Sequence, residues 1–303
     1  MPNARLIALD WGTSNLRAHL LGAGGRVLEQ RAAAAGVMQV EERRFEDALT
    51  ALCGDWLAGA RLPLLASGMI GSRQGWVEAP YLELPATLAG AAQALARVPL
   101  RQGGVLHVVP GLCRRSGGGD VMRGEETQLW GAGLPAGACC VLPGTHSKWA
   151  WMGEGGTIRH FATCLTGELY ALLVRHSIIG RLLPDAPPRR PQAFGQGVRE
   201  ALAHPAQLTQ RLFGVRAGVL LDQLAADDAA DHLSGLLVGA ELAAARADGL
   251  PGAVWLLGEP ALVERYEQAL AVAGIGAHRV DDGATVRGQW RLAVAAGLVE
   301  DES

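Results

Sequence analysis

No pair of cysteines with CxxC spacing occurs in this 303-residue chain. Its five cysteines, Cys53, Cys113, Cys139, Cys140 and Cys164, include an odd member, so neither a thiolate zinc site nor a disulfide framework is indicated. They read as reduced, mostly buried small residues. No stretch reaches the roughly 18 consecutive apolar residues of a membrane-spanning helix, and the first residues lack the basic and apolar regions of a signal peptide. A cytoplasmic location is therefore expected. An excess of charge of either sign is lacking as well. A net charge of −3 gives no electrostatic case for binding nucleic acid or an anionic membrane. The P-loop pattern GxxxxGK[ST] and the dinucleotide pattern GxGxxG are both missing; Gly22-x-Gly24-Gly25 lies between strand-like runs and reads as a hairpin turn.

What is there is an ordinary globular composition, 49 % apolar and 19 % charged, long enough for one large domain or two. Arg5 to Ala8, His19 to Leu21 and Arg26 to Ala33 look like strands. Helical spacing of apolar residues runs from Phe45 to Leu57 and around Ala86 to Ala96. Between them a short strand, Leu62 to Ala66, leads into "SGMIGSRQGWVEAPYLELPA", too irregular for either period and readable as a functional loop. Further on, Thr166 reads as the N-cap of an amphipathic helix. "PDAPPRRPQ" breaks that helix as a surface loop with solvated arginines, and Ala253 to Leu257 is a buried strand followed by a helix from Ala261 to Ala273.

A repeat organises these pieces. "LDWGTSNLRAHLLGAGGRVLEQ" (9–30) is echoed by "LPGTHSKWAWMGEGGTIRHF" (142–161): strand, Gly-Thr turn, strand, Gly-Gly turn, strand. A likeness separated by nearly half the chain implies two related domains, 1–134 and 135–303. Gly-Thr turns suit polyphosphate, because glycine admits an anion close to the backbone, successive N–H groups form a nest, and hydroxyls add donors. Asp10 is then placed to hold Mg²⁺, the alternative being a turn-forming aspartate. Lys148 either reaches a phosphate or points outward from its strand. "DVMRGEETQLWG" (120–131) sets Asp120, Arg123, Glu125 and Glu126 at a helix entrance, where acids also complement the dipole. Phosphoryl transfer to an alcohol needs a carboxylate to accept the hydroxyl proton, and Glu125 and Asp120 are the two candidates.

These residues resemble the phosphate and adenosine motifs of the superfamily that contains actin, sugar kinases and heat-shock chaperones. "DWGTSNLRAHLL", "SGMIGSRQGWVEAPYLELPA", "DVMRGEETQLWG", "LPGTHSKWAW" and "LTGELYALLVRHSIIG", in that order, are together similar to the 2-dehydro-3-deoxygalactonokinase family. The resemblance implies an α/β architecture of two ribonuclease-H-like domains, each a mixed five-stranded sheet flanked by helices, with ATP in the cleft. It implies transfer of the γ-phosphoryl group of ATP to the 6-hydroxyl of 2-dehydro-3-deoxy-D-galactonate, the nearest alternative being a kinase for another keto sugar or sugar acid, the gluconate epimer included. Asp10 becomes the Mg²⁺-side acid. Gly12, Thr13, Ser14 and Asn15, with Arg17 nearby, become the first phosphate loop, and Gly144, Thr145 and His146 the second. Gly258 and, less directly, Gly239 become adenosine contacts. Where related sugar kinases carry a Gly-Asp-Gln segment with the catalytic base, this chain reads Gly124-Glu125-Glu126, which assigns the base to Glu125 with Asp120 as substitute. An anionic substrate calls for Ser67, Gly68, Ser72, Arg73 and Arg123 as partners; Arg73 can instead pair with Glu78. A chaperone-like ATPase or a sugar-responsive repressor would need a further domain that the pattern lacks. The sequence leaves monomer and homodimer both open.

Overall fold

The computed structural model describes residues 3–58 and 61–301. It divides into two compact units, one made of the chain up to Gly137, Trp151–Phe161 and everything from Asp281 onward, the other of Ala138–Ala150 and Ala162–Val280.

In the first unit, β1 (Leu6–Trp11), β2 (Leu16–Leu21) and β3 (Val27–Ala33) form an antiparallel meander. Helix α1 (Phe45–Leu57) follows, then β4 (Leu64–Ser67), β5 (Tyr81–Glu83), α2 (Leu88–Gln93), β6 (Ala96–Pro99), β7 (Val105–Val108), β8 (Gly111–Arg114), β9 (Asp120–Met122) and α3 (Glu125–Ala132). The main sheet has the order β3-β2-β1-β4-β7-β6, with β1, β4 and β7 parallel. It carries six strands where five are expected. The sixth is β6, which takes up the end of the stretch read as helical around Ala86 to Ala96. Thr87 caps α2 by accepting from the Gly90 N–H at 3.1 Å, and the helix lasts only six residues before the chain turns into the edge strand. A second sheet, β5-β8-β9, stands beside it. Trp11, Phe45, Leu49 and Trp56 fill the core under α1.

The second main sheet repeats the plan, and its Trp151–Phe161 stretch falls in the first unit. Strands β10 (Cys139–Leu142), β11 (Ser147–Met152) and β12 (Ile158–Cys164) reproduce β1 to β3, and with β13 (Ala253–Leu256) and β14 (Gly276–Arg279) they form a five-stranded sheet, β12-β11-β10-β13-β14. The correspondence extends to the turns. Gly24 and Gly25 have φ of 63° and 74°, Gly155 and Gly156 61° and 74°, backbone that glycine adopts without Cβ strain. The helices of the second unit are α4 (Thr166–His176), α5 (Pro191–Ala203), α6 (Leu208–Leu220), α7 (Ala226–Ala247) and α8 (Pro260–Val272). Thr166 is the first residue of α4 rather than its cap, and its hydroxyl is spent elsewhere.

The last helix, α9 (Ala284–Ala295), belongs to the first unit. It crosses α3 so closely that a Cβ on Gly131 would fall 1.7 Å from the Ala284 oxygen. Gln289, fully buried on α9, donates to the Leu9 oxygen at 2.7 Å and the Ser67 hydroxyl at 3.0 Å, tying the neighbouring strands β1 and β4 from beneath. The chain therefore returns to its first unit, where a single cut after residue 134 is the expectation from the repeat alone.

Candidate active site

Parallel strands β1 and β4 end side by side, with Asp10 opposite Ser67 in register, and loops after parallel strands are where open α/β sheets bind ligands. The first Gly-Thr loop spans only Gly12 to Asn15. Its fold turns the carbonyls inward. Asn15 O accepts from the Gly12 N–H at 2.9 Å, and the oxygens of Gly12, Thr13 and Ser14 accept from Val37, Met38 and Gly36. Gly36 lies so tightly under the loop that a Cβ would sit 2.3 Å from the Ser14 carbonyl carbon. Trp11 fixes the entry by donating its indole N–H to Ala35 O at 2.8 Å. Thr13, Ser14 and Asn15 are left exposed, a face with its carbonyls engaged and its hydroxyls outward. Asp10 is half-buried and accepts a single 3.3 Å contact from Arg17, itself half-exposed.

The acid-rich segment reaches this strand end through two glycines. Gly124, at φ 111°, packs so that a Cβ would lie 3.3 Å from Gly68 Cα; a Cβ on Gly68 would lie 3.7 Å from the Asp10 carboxylate. Glu125 opens α3 from that point, half-buried, its carboxylate accepting the Arg123 backbone N–H at 3.1 Å. Asp120 is set apart from it, on β9 at the tip end of the β8–β9 hairpin, across from Arg114 at 3.9 Å. Glu126 is fully buried. It accepts from the Gly124 N–H at 2.6 Å and the Thr127 hydroxyl at 3.1 Å. Burial, helped by the charge of Glu125, pushes its carboxyl up to about 7.

Beside these stands a buried cation. Arg123 lies 4.3 Å over the Tyr81 ring and donates through Nη2 to Ala79 O at 2.8 Å, while Nε and Nη1 have no hydrogen-bond partner among the described residues. Nη1 abuts Gly71, and the neighbouring Ser72 hydroxyl, also buried, is equally unanswered. Buried polar groups are nearly always paired, so these open donor positions suit an acceptor such as a water or a ligand oxygen. Two expected partners lie elsewhere. Ser67 is buried, its hydroxyl oxygen accepting from the Gln289 amide beneath the sheet. Arg73 is 83 % exposed and pairs with Glu78 at 2.8 Å, because the loop turns it to solvent.

In the second unit, the Gly144–His146 loop is braced by the start of α4. Glu168 N–H donates to Thr145 O at 3.0 Å, its carboxylate meets His146 Nε2 at 2.5 Å, and Gly167 has no room for a Cβ, which would be 2.4 Å from Gly144 O. Lys148 does not point outward. It is buried, with its ammonium 3.2 Å from the His146 oxygen. Behind this loop opens a cavity of about 490 Å³, lined by Gly144, Tyr170, Leu237, Leu262, Arg265 and Tyr266 among others. Arg265 lies 4.6 Å over the Phe194 ring, held by Asp231 and by Ser234 at 2.9 Å. The proline-rich loop contributes Pro187 and Pro188 to the wall, and its arginines are ion-paired: Arg189 to Glu264 at 3.1 Å, Arg190 to Asp227 at 3.0 Å. Gly258, at φ 157°, lies against Pro143 after β13. The missing side chain of Gly239 makes room for a neighbouring helix. This glycine sits inside α7 where α5 crosses, and a Cβ there would be 2.8 Å from Ala201 Cβ. Sequence reasoning missed Glu126 as a buried acid and the whole polar cluster around Glu241, since nothing in their spacing distinguishes them from helix-surface acids.

Comparison with known proteins identifies the family. The model of the 2-keto-3-deoxy-galactonokinase family matches residues 10–292. The 2-dehydro-3-deoxygalactonokinase of Escherichia coli is 40 % identical over 275 residues, 89 % of this chain and 91 % of its own. A crystal structure from Sinorhizobium meliloti carrying the same enzyme name superposes with a TM-score of 0.90 at 39 % identity, covering 96 % of this chain and 98 % of that one. At 9 % identity, a xylulose kinase from Lactobacillus acidophilus shares the fold with a TM-score of 0.51. Among the described residues no helix is long and apolar enough to cross a membrane, and no group of three or more potential metal ligands occurs.

Proposed function

Because the chain belongs to the 2-keto-3-deoxy-galactonokinase family, we propose that it transfers the γ-phosphoryl group of ATP to the 6-hydroxyl of 2-dehydro-3-deoxy-D-galactonate, giving the 6-phosphate and ADP. The observation that carries the acid half of the substrate is Arg123. A buried guanidinium with two N–H directions unanswered, next to an unanswered Ser72 hydroxyl, suits a carboxylate, which accepts a forked pair of hydrogen bonds.

Glu125 accepts the proton of the 6-hydroxyl as that oxygen attacks phosphorus, and Asp120, held at its hairpin tip, takes no part. Thr13, Ser14, Asn15 and Arg17 of the first loop and Gly144, Thr145, His146 and Lys148 of the second hold the phosphates; Gly258 and the cavity beside Tyr266 hold the adenosine. Asp10 fits a hard divalent cation. It is one strand-end carboxylate with a single long contact to Arg17, and Mg²⁺ takes one or two carboxylates and completes its shell with water and phosphate oxygens. When bound, the ion neutralises charge on the transferring phosphates.

Measuring ADP release over a panel of 2-keto-3-deoxy sugar acids, pentuloses and hexoses tests this reading. The galactonate derivative accelerates turnover most; no response to any sugar acid would sink it. Glu125→Gln lowers kcat by about 10²- to 10⁴-fold whereas Asp120→Asn leaves it near wild type, and the reverse pattern would move the base to Asp120.

A further inference from the structure

One buried acid has no place in that chemistry. Glu241, on α7 and only 4 % exposed, receives four hydrogen bonds: Trp149 Nε1 at 2.5 Å on one oxygen, and on the other Tyr266 at 2.8 Å, Ser147 at 3.1 Å and the Thr166 hydroxyl. Ser147 and Tyr266 also lie 2.8 Å apart, and each hydroxyl has a single proton, so a bond between them replaces one of those to Glu241. Burial raises the acid's proton affinity, and the four donors offset part of the cost of its desolvation.

The donors come from three elements, and each continues into the nucleotide region. Ser147 follows His146 directly on β11. Thr166 lines the cavity and precedes Gly167, whose backbone touches Gly144 and Thr145. Tyr266, from α8, lines the same cavity. We propose that Glu241 is a positioning residue for ATP: it locks the second phosphate loop, the start of α4 and the α8 wall into one arrangement, without touching the nucleotide. The inference rests on the assignment of that cavity and loop to ATP. A carboxylate can satisfy four donors at once, and an amide cannot, because its nitrogen is itself a donor.

The test is calorimetric titration of ADP into wild type, Glu241→Gln, Tyr266→Phe and Thr166→Val, with KM measured separately for ATP and for the sugar acid. Glu241→Gln raises the Kd for ADP and the KM for ATP by on the order of tenfold or more, the scale of loss that a small misplacement produces. The KM for the sugar acid stays within about twofold. Tyr266→Phe and Thr166→Val shift ADP binding the same way by less. An unchanged Kd in folded Glu241→Gln, or an equal rise of both KM values, overturns the proposal. If Glu241→Gln does not fold, unchanged ADP binding in both hydroxyl variants overturns it instead. A wild-type protein that binds no ADP would overturn the nucleotide assignment itself, and that outcome is read from a different sample.

Discussion

Arg123 and Glu126 show how much a single buried group can report. Replacing Arg123 by Lys keeps the charge but removes the fork, so the KM for the sugar acid should rise about tenfold or more while that for ATP stays put, as the loss of one charge-assisted hydrogen bond implies. Steady-state kinetics with each substrate varied in turn check this. Glu126 predicts a pH effect. Its carboxyl titrates near 7 in the fold against a reference of 4.5, so between those values the native state holds a proton that the unfolded chain has released. Stability from this residue is present below about pH 4.5 and is lost as pH rises through 7, on the order of 3 kcal/mol across the window. Thermal melts of Glu126→Gln against wild type should show that slope disappear; an equal slope in both proteins would assign it elsewhere. The sequence shows both residues in one motif, Arg123-Gly124-Glu125-Glu126, and not their burial. Adjacent glutamates at a helix start look identical whether they face water or the core.

Among the elements, the hairpins were the most legible. Their turns need glycine at fixed offsets, so the repeat survives in the letters: Gly24-Gly25 and Gly155-Gly156 adopt the same backbone, and the strands on either side pair alike. Gly124 is the element-level joint. With φ at 111° and Gly68 Cα 3.3 Å from where a Cβ would stand, Gly124→Ala should cost about 1–3 kcal/mol of backbone strain. It should also lower kcat by displacing the start of α3 from Asp10; chemical denaturation and single-turnover rates measure the two effects. Less legible was the stretch from Ala86 to Ala96. Alanines at helical spacing are consistent with a helix of any length, and only the demand of β7 for an edge partner ends it at Gln93. Gly239, packed against α5, was illegible for a related reason. A glycine that admits a neighbouring helix and one that admits a ligand leave the same mark in a sequence.

For the molecule as a whole, the order of the chain conceals one dependence. Helix α9 is the last long element, yet it underpins the strands that carry Asp10 and Ser67 through Gln289. Ending the chain at Val280 should therefore leave the first unit unfolded, seen as lost cooperativity in melting, while the repeat alone would predict an intact N-terminal half. No local pattern announces such a return, because amphipathic helices read alike wherever they dock. One further consequence comes from Lys148. It is the single lysine of the chain, buried with its ammonium against the His146 carbonyl. Nitrogen-15 lysine labelling thus places one isolated side-chain resonance directly beneath the Gly144–His146 loop, a background-free magnetic probe that needs no engineering.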